Sequence, residues 1–317
     1  MFRRTVISLL MAAVLTGPVA WADYATTMVS GISQASYTNY LDNFLYTHTG
    51  DDRGYGPEHD LARDAIYNEF ANFGLQTSLD PFQYSGGTYH NVVGVLGGDS
   101  RPDDLYVIGA HYDSVNNPGA DDNASGVAGM LEIARVAAAC DFDATLVFIA
   151  FDREEQGLYG STSWVAENAG RQIRGMISMD MIGYDPGGNN RAHLYSTSAS
   201  DNLRLAMQDA LLRHGGISAD MPANIPYSDH APFENAGFPA TLLIEYDWGS
   251  NPYYHKMADS VDTVGYINYE YATRMTSGVA GWVAAEGGAH ATPEPGTLLL
   301  VAIGVPVLAG FRRRRAA

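Results

Sequence analysis

The stretch that decides the fold is ATLVFIAFDREEQGLYG, residues 144–160. Its first eight residues are all apolar or β-branched, which is typical of a strand buried on both faces of a parallel sheet. Two adjacent glutamates, Glu154 and Glu155, follow the predicted end of this strand. Because carboxylates are costly to bury unless something pairs with them, the stretch predicts a strand that ends at a polar centre.

Similar apolar runs alternate with helical stretches along the chain. The predicted strands cover residues 91–97, 105–112, 144–151, 174–183 and 240–245. The predicted helices cover residues 33–46, 57–74, 123–140, 160–170, 200–215 and 266–287. This alternation predicts a three-layer α/β/α sandwich with a central mixed, mainly parallel sheet. In such folds ligands bind beyond the carboxyl ends of the strands.

Composition limits the class of protein. The chain has 317 residues, of which 46% are hydrophobic and 17% are charged, so a sizeable packed core is expected. The formal net charge of −18 argues against nucleic-acid binding, which needs clustered Lys and Arg. The single cysteine, Cys140, excludes intramolecular disulfides and a cysteine-based zinc site.

The N-terminal segment, residues 1–22, has the pattern of a signal peptide. Arg3 and Arg4 precede an apolar region over residues 5–17, and Ala-Trp-Ala at 20–22 gives a small-x-small cleavage site. The mature chain is therefore expected to begin at Asp23. An uncleaved membrane anchor is the alternative, although the apolar run is short for a span.

The C-terminal segment has the pattern of a second targeting signal. A Pro-Glu-Pro triplet at 293–295 precedes a mostly apolar stretch over 296–311 and four arginines at 312–315. The arginines would keep the C-terminus in the cytoplasm. This order resembles the PEP-CTERM sorting signal of Gram-negative bacteria. The resemblance implies export across the inner membrane and recognition, with cleavage, by an exosortase-type enzyme; a plain membrane anchor is the alternative.

The ends divide the chain into three predicted parts. These are the signal peptide (1–22), a middle domain (23–288) and a PEP-CTERM-type sorting segment (289–317) with its apolar span and Arg cluster. The expected location is periplasmic, cell-surface or extracellular, with transient inner-membrane anchoring by the C-terminal segment.

Five polar clusters lie directly after or within the apolar runs. They are GAHYDS (109–114), PGADDNASG (118–126), FDREEQG (151–157), ISMDMIGY (177–184) and NPYYHKMADS (251–260). Two imidazoles and three carboxylates from these clusters suit two Zn²⁺ ions, with water in the remaining positions. The sequence has no HExxH, no G-x-S-x-G and no Gly-rich phosphate loop, so the zincin and nucleophile-elbow interpretations do not apply.

The order His-x-Asp, Asp-Asp-Asn, Glu-Glu, Asp, Tyr-His resembles the secreted bacterial di-zinc leucyl aminopeptidases. Their wider family includes glutaminyl cyclases and glutamate carboxypeptidases. The resemblance covers about residues 57–262 and implies five metal ligands. They are His111 and Asp180 on one zinc ion, Glu155 and His255 on the other, and Asp122 as the bridge.

The same resemblance assigns roles around the metals. Asp122 is preferred to Asp121 as the bridge because it immediately precedes the Asn-Ala-Ser-Gly run at 123–126. Asp113 matches the carboxylate that orients the imidazole of His111.

The resemblance also implies catalytic roles. Adjacent side chains diverge, so Glu154 is expected to face the metal-bridging water as general base, then acid, while Glu155 binds metal. Tyr254 matches a tyrosine whose hydroxyl could donate to the tetrahedral oxyanion. The stretch PYSDHAPFENAGFPA (226–240) offers three candidates for the substrate pocket. They are Ser228, Asp229 and His230.

The sequence is therefore interpreted as an exported zinc-dependent exopeptidase, an aminopeptidase acting on peptide substrates with two Zn²⁺ per chain. Cobalt or manganese could occupy such a site instead. The alternatives are a glutaminyl cyclase with a single zinc, a carboxypeptidase-type relative, or a non-catalytic binding domain on the family fold. The last is disfavoured because all five ligands and Glu154 are present.

Overall fold

The structure, a computed structural model, describes residues 20–290. The strands are β1 (Gln76–Tyr84), β2 (Gly87–Leu96), β3 (Arg101–His111), β4 (Asp141–Phe142), β5 (Ala144–Phe151), β6 (Gln172–Met179), β7 (Arg191–Tyr195), β8 (Ser218–Asp220), β9 (Ala240–Glu245) and β10 (Ala289–His290). The helices are α1 (Ala20–Ser30), α2 (Gln34–Asn39), α3 (Pro57–Asn72), α4 (Gly126–Ala137), α5 (Tyr159–Glu167), α6 (Asp201–Ala210), α7 (His230–Asn235) and α8 (Tyr269–Gly287). An irregular turn, Ala120–Ser125, precedes α4.

Eight of the strands form one mixed sheet in the order β1-β2-β5-β3-β6-β9-β7-β8. The four central strands β5, β3, β6 and β9 are mutually parallel, whereas β2 and β7 pair antiparallel to their central neighbours. Ile108 of β3 pairs with both Phe148 of β5 and Ile177 of β6. The carboxyl ends of β3, β5 and β6 therefore meet at one edge of the sheet.

Strand β5 shows why the chain forms three layers. Its eight residues are all buried. Leu146 and Phe148 belong to the core shared with helices α2, α3, α4, α6 and α8. Val147, Ile149 and Phe151 belong to a second core, shared with α5 and α7. Because successive side chains of a strand point to opposite faces, one continuous apolar run fills both cores, and the predicted α/β/α sandwich is confirmed.

Strands β1, β7 and β8 of the sheet and helices α1 and α7 have no counterpart in the sequence prediction. Strand β1 has mostly exposed residues and includes Pro81, so it lacks an apolar run. Strands β7 and β8 have five and three residues, and α7 has six. Segments this short carry too little periodicity to be recognised in a sequence.

Two predicted helices begin later than expected. The helix predicted from residue 123 begins at Gly126, because residues 122 and 123 have non-helical backbone angles. The helix predicted from residue 266 begins at Tyr269, where the side chain of Asn268 accepts a hydrogen bond from the Tyr271 amide at 3.0 Å. This side-chain cap fixes the start of α8.

Both ends of the described chain lie near one another. Strand β10 pairs with β4, which directly precedes β5, and α1 packs against α8 and β10. The predicted signal peptide, up to residue 19, and the sorting segment from residue 291 lie outside the described residues. Within residues 20–290, no helix combines the length and apolarity that a membrane span requires.

Candidate metal centre

Each candidate ligand follows a sheet strand or lies in a turn at the carboxyl edge. His111 is the last residue of β3, and Asp122 lies in the turn before α4. Glu155 lies in the turn after β5, and His255 lies in the loop between β9 and α8. Asp180 was predicted inside a strand over 174–183, but β6 ends at Met179, so Asp180 lies immediately beyond the strand. This correction places its carboxylate at the sheet edge with the others.

The two oxygens of Asp122 face different partners. Oδ1 lies 3.3 Å from His111 Nε2, which is also 3.4 Å from Asp180 Oδ1. Oδ2 lies 3.1 Å from His255 Nε2, which is also 3.2 Å from Glu155 Oε2. Asp122 therefore joins two groups of donors, each with one imidazole and one further carboxylate.

The donor set fits divalent cations. Ligand atoms of His111, Asp122 and Glu155 lie within 4.8 Å of one another, and so do those of His111, Glu154 and Asp180. The second carboxylate oxygen of Glu155, Oε1, is buried without a hydrogen-bond partner. A buried, unpartnered carboxylate oxygen is costly, and a cation would satisfy it. Imidazole and carboxylate donors without thiolates are consistent with zinc.

The centre concentrates negative charge in a buried place. Burial raises the pKa of Glu154 well above its usual range and raises that of Glu155 to about 7. Hydrogen bonds to Asp122 and Glu155 raise the pKa of His255 to about 10. Burial lowers the pKa of His111, but Glu154 and Asp180 outweigh it and the net shift is strongly upward. Bound cations would replace these protons as the compensating charge.

Asp113 supports the centre through main-chain contacts. Its carboxylate accepts hydrogen bonds from the amides of Glu154, at 3.2 Å, and Glu155, at 3.3 Å. The Nδ1 atom of His111 lies 3.1 Å from the main-chain oxygen of Asp113 and 3.6 Å from its carboxylate. The main-chain carbonyl of Asp113 is thus nearer to the His111 imidazole than the Asp113 carboxylate is. The carboxylate instead holds the turn that contains Glu154 and Glu155.

Asp259 has a role that the sequence did not predict. Its carboxylate accepts hydrogen bonds from the amides of Asp121, at 2.7 Å, and Asp122, at 3.2 Å. It is fully buried. The carboxylate of Asp121 accepts the amide of Gly183 at 2.7 Å, so Asp121 braces the turn while Asp122 faces the centre.

A small cleft opens onto these ligands. Tyr254 lines it, with its ring centroid 3.9 Å from that of His255. One wall is apolar and consists of Met181, Ile225, Leu242, Ile244 and Trp248.

The three residues predicted for the substrate pocket do not line this cleft. Ser228, Asp229 and His230 are all buried, whereas the neighbouring Ile225 and Tyr227 do line it. The Ser228 hydroxyl contacts that of Ser178 at 3.1 Å. The motif thus contributes Tyr227 to the cleft, and Ile225 lies just before the motif, but the three predicted side chains do not reach it.

Fold and centre together define an α/β metallopeptidase. Residues 91–283 match the sequence model of peptidase family M28, and the chain belongs to this family. The family resemblance inferred from the sequence is therefore confirmed. Residues 291–315 match the PEP-CTERM protein-sorting motif, which confirms the predicted sorting signal.

Individual proteins resemble the chain in sequence or in fold. The chain is 30% identical over 258 residues to the uncharacterized protein YfbL of Escherichia coli, covering 69% of this chain and 78% of YfbL. It resembles the solved structure of LapA from Legionella pneumophila with a TM-score of 0.75 and 21% identity, covering 89% of this chain and 80% of LapA.

A third relative is the zinc aminopeptidase BSAP from Bacillus subtilis. Its structure gives a TM-score of 0.56 with 28% identity, over 63% of this chain and 50% of BSAP. The chain thus spans about half the length of that enzyme.

Proposed function

We propose that the protein is an exported di-zinc aminopeptidase that hydrolyses the N-terminal peptide bond of its substrates. The observation that carries this proposal is that the two oxygens of Asp122 face two separate imidazole–carboxylate pairs. One ion would be held by His111, Asp122 and Asp180, and the other by Asp122, Glu155 and His255. Bound zinc would act as a Lewis acid toward the scissile carbonyl and lower the pKa of the attacking water.

Glu154 is the general base of the proposed reaction. It lies in the cleft next to His111 and Asp180, and in this proposal Asp122 rather than Glu154 is the third ligand of that ion. Its carboxylate would accept a proton from the attacking water and then deliver it to the leaving amine. The Tyr254 hydroxyl, in the same cleft, would donate a hydrogen bond to the oxyanion.

The apolar wall indicates which N-terminal residues the enzyme accepts. Leu242, Ile244 and Trp248 face the cleft beside the ligands, so an aliphatic or aromatic side chain would bury apolar surface there. Each buried methylene group contributes about 0.8 kcal/mol, and this favours leucyl over alanyl substrates.

The ends of the chain supply the proposed location. The signal peptide would direct export, and the PEP-CTERM motif implies an exosortase-type partner and C-terminal membrane anchoring. The peptidase domain would lie between these two targeting segments, over about residues 23–288. The enzyme would therefore act on peptides outside the cytoplasm.

Replacement of Glu154 tests the proposed reaction. Glu154→Gln keeps the shape of the side chain but removes the base, so kcat on leucyl-p-nitroanilide is expected to fall about 10²–10⁴-fold. Zinc content, measured by elemental analysis, should stay at two ions per chain. Glu167→Gln makes the same change at the exposed end of α5 and should leave both quantities unchanged.

Three results would contradict the proposal. Full activity of Glu154→Gln would remove Glu154 from the role of base. One zinc per chain with pyroglutamate formation from N-terminal glutamine would indicate a cyclase, and release of C-terminal residues would indicate a carboxypeptidase.

A further inference from the structure

We propose that Arg153 is a positioning residue that sets the directions of Glu154 and Glu155. This inference rests on the proposed function, because it concerns how the base and a ligand are held. Arg153 is completely buried, which is uncommon for arginine. Its φ of +59° lies in the left-handed region, which side chains other than glycine seldom adopt. Such a conformation persists only where the surroundings hold it.

Two aromatic rings contact the guanidinium of Arg153. Its Cζ lies over the ring of Tyr55, 4.3 Å from the centroid, and over that of Tyr89, 4.1 Å from the centroid. Its Nε lies 3.3 Å from Asp152 Oδ1, and its Nη2 lies 3.1 Å from His59 Nε2. These contacts fix the plane of the group.

The same group also ties the turn to the segment before α3. The Nη1 atom of Arg153 donates to the main-chain oxygen of Gly54 and lies 3.3 Å from Gln156 Oε1. Arg153 is thus bound to residues on both sides of the two glutamates, at Asp152 and Gln156, and to a separate chain segment. None of its contacts involves a metal-ligand candidate.

Hydrogen bonds within the turn and to Asp113 also hold the main chain around the glutamates. The carbonyl of Glu154 accepts the amides of Gly157, at 2.8 Å, and Leu158, at 2.9 Å, while Asp113 accepts the amides of both glutamates. With the turn fixed in this way, Glu154 lies with His111 and Asp180, and Glu155 lies with His255. The two adjacent carboxylates share His111 as a neighbour but otherwise meet different groups.

A purely stabilising role would have a different signature. A side chain that only contributes to folding stability lowers the melting temperature and leaves the folded molecules fully active. A side chain that sets the direction of Glu154 changes the turnover of folded, zinc-loaded molecules, since a displacement of about 1 Å in a catalytic group can cost about 10²-fold in rate. The two roles therefore separate experimentally.

Four variants form the test. Arg153→Gly removes the guanidinium and adopts positive φ without strain. Arg153→Ala also removes the guanidinium but keeps a Cβ at positive φ. Arg153→Lys keeps the charge without the planar fork. Arg63→Ala is the control, because Arg63 is a nearby, mostly buried arginine on α3 that pairs with the exposed Asp60 and Asp64.

We expect Arg153→Gly and Arg153→Ala to lower kcat about 10- to 100-fold, with KM changed less than threefold and two zinc ions per chain retained. Arg153→Lys should recover only part of the loss. Added guanidinium at millimolar concentration should raise kcat of Arg153→Gly several-fold. Hydrogen exchange at the amides of Glu154 and Glu155 should accelerate at least tenfold even in zinc-free protein, whereas Arg63→Ala should match wild type.

Unchanged kcat together with unchanged hydrogen exchange in folded Arg153→Gly would overturn the inference. So would a fall in activity that matches only the loss of folded protein. Because Glu154→Gln is assayed in parallel, an active Glu154→Gln identifies a failure of the proposed reaction, whereas an inactive Glu154→Gln beside a fully active Arg153→Gly identifies a failure of this inference alone.

Discussion

At the scale of single residues, the centre depends on which atom of a side chain meets which neighbour. Asp122 Oδ1 meets His111, and Asp122 Oδ2 meets His255. A histidine or an asparagine at this position could not offer a negative oxygen to both partners. Glu154 and Glu155 follow the same rule, since adjacent positions point their carboxylates toward different groups.

Zinc binding should release protons. Hydrogen bonds to Asp122 and Glu155 raise the pKa of His255 to about 10, so this imidazole is protonated in zinc-free protein at pH 6–8. Zinc requires the neutral form, and each displaced proton raises the apparent zinc affinity about tenfold per pH unit as the pH rises. Calorimetry in two buffers of different ionisation enthalpy should detect at least one released proton per chain.

The control for this measurement is His48→Gln. His48 is about half exposed and contacts Asp262, away from the ligand atoms, so this variant should release the same number of protons. An apparent affinity that does not vary between pH 6 and 8 would contradict the prediction.

The residues differ in how far the sequence could predict them. His111, Asp122, Glu155, Asp180 and His255 converge as expected, because each belongs to a motif tied to the end of a strand or to a turn. Their roles as ligands remain proposals. Asp259 and Arg153 could not be predicted from the sequence, because their partners are main-chain groups and rings from distant segments.

At the scale of elements, the turns and loops beyond the strands hold most of the candidate ligands, and only His111 lies within a strand, as the last residue of β3. The turn before α4 is held by a buried arginine. Arg53, buried beneath it, donates from Nη2 to the Gly119 carbonyl at 2.8 Å and from Nε to the Tyr112 carbonyl at 3.0 Å. The segment before α3 thus supports both glutamates through Gly54 and Asp122 through Arg53.

A methyl group at Gly119 should disturb the centre. Gly119 has a φ of +60°, and a Cβ there would lie 2.5 Å from the carbonyl oxygen of Asp122. We expect Gly119→Ala to destabilise the protein by about 2–4 kcal/mol, since strain and overpacking add, and to weaken zinc binding more than tenfold. Chemical denaturation and competition with a zinc indicator would measure the two effects.

Gly188→Ala is the matched control. Gly188 has nearly the same φ, +62°, but a Cβ there would meet nothing within 4 Å. This variant should cost about 1 kcal/mol from backbone strain alone, with zinc affinity unchanged. Equal effects of the two substitutions would show that the turn tolerates the extra atom.

The prediction of elements succeeded where burial on two faces produces an unbroken apolar run. Strand β5 and its parallel neighbours have such runs, and all were predicted. Strand β1 is exposed along most of its length and is held by pairing with β2, so long-range contacts rather than local sequence determine it. Strands β7 and β8 have only five and three residues, so their local sequence is also too short to predict them.

At the scale of the whole molecule, the centre is a site of repulsion that the fold tolerates. Four candidate carboxylates, those of Asp122, Glu154, Glu155 and Asp180, lie near one another in a chain whose net charge is −18. Folding brings these charges together, so a cation bound only by the folded state adds directly to stability.

Removal of zinc should therefore lower the melting temperature. Binding contributes about 4 kcal/mol when free zinc is 1,000 times its dissociation constant, and this shifts the melting temperature of a domain of this size by about 7 °C. Differential scanning calorimetry with and without a chelator would measure the shift, and added zinc should reverse it. A melting temperature that does not respond to the chelator would contradict the prediction.

The position of β10 has a consequence for how the enzyme is presented to its substrates. This strand closes beside β4, at the amino end of β5, whereas Glu154 follows the carboxyl end of β5. Eight residues of strand, about 26 Å, separate the two levels. A C-terminal anchor attached after His290 would therefore begin at the amino edge of the sheet, opposite the carboxyl edge at which the cleft opens.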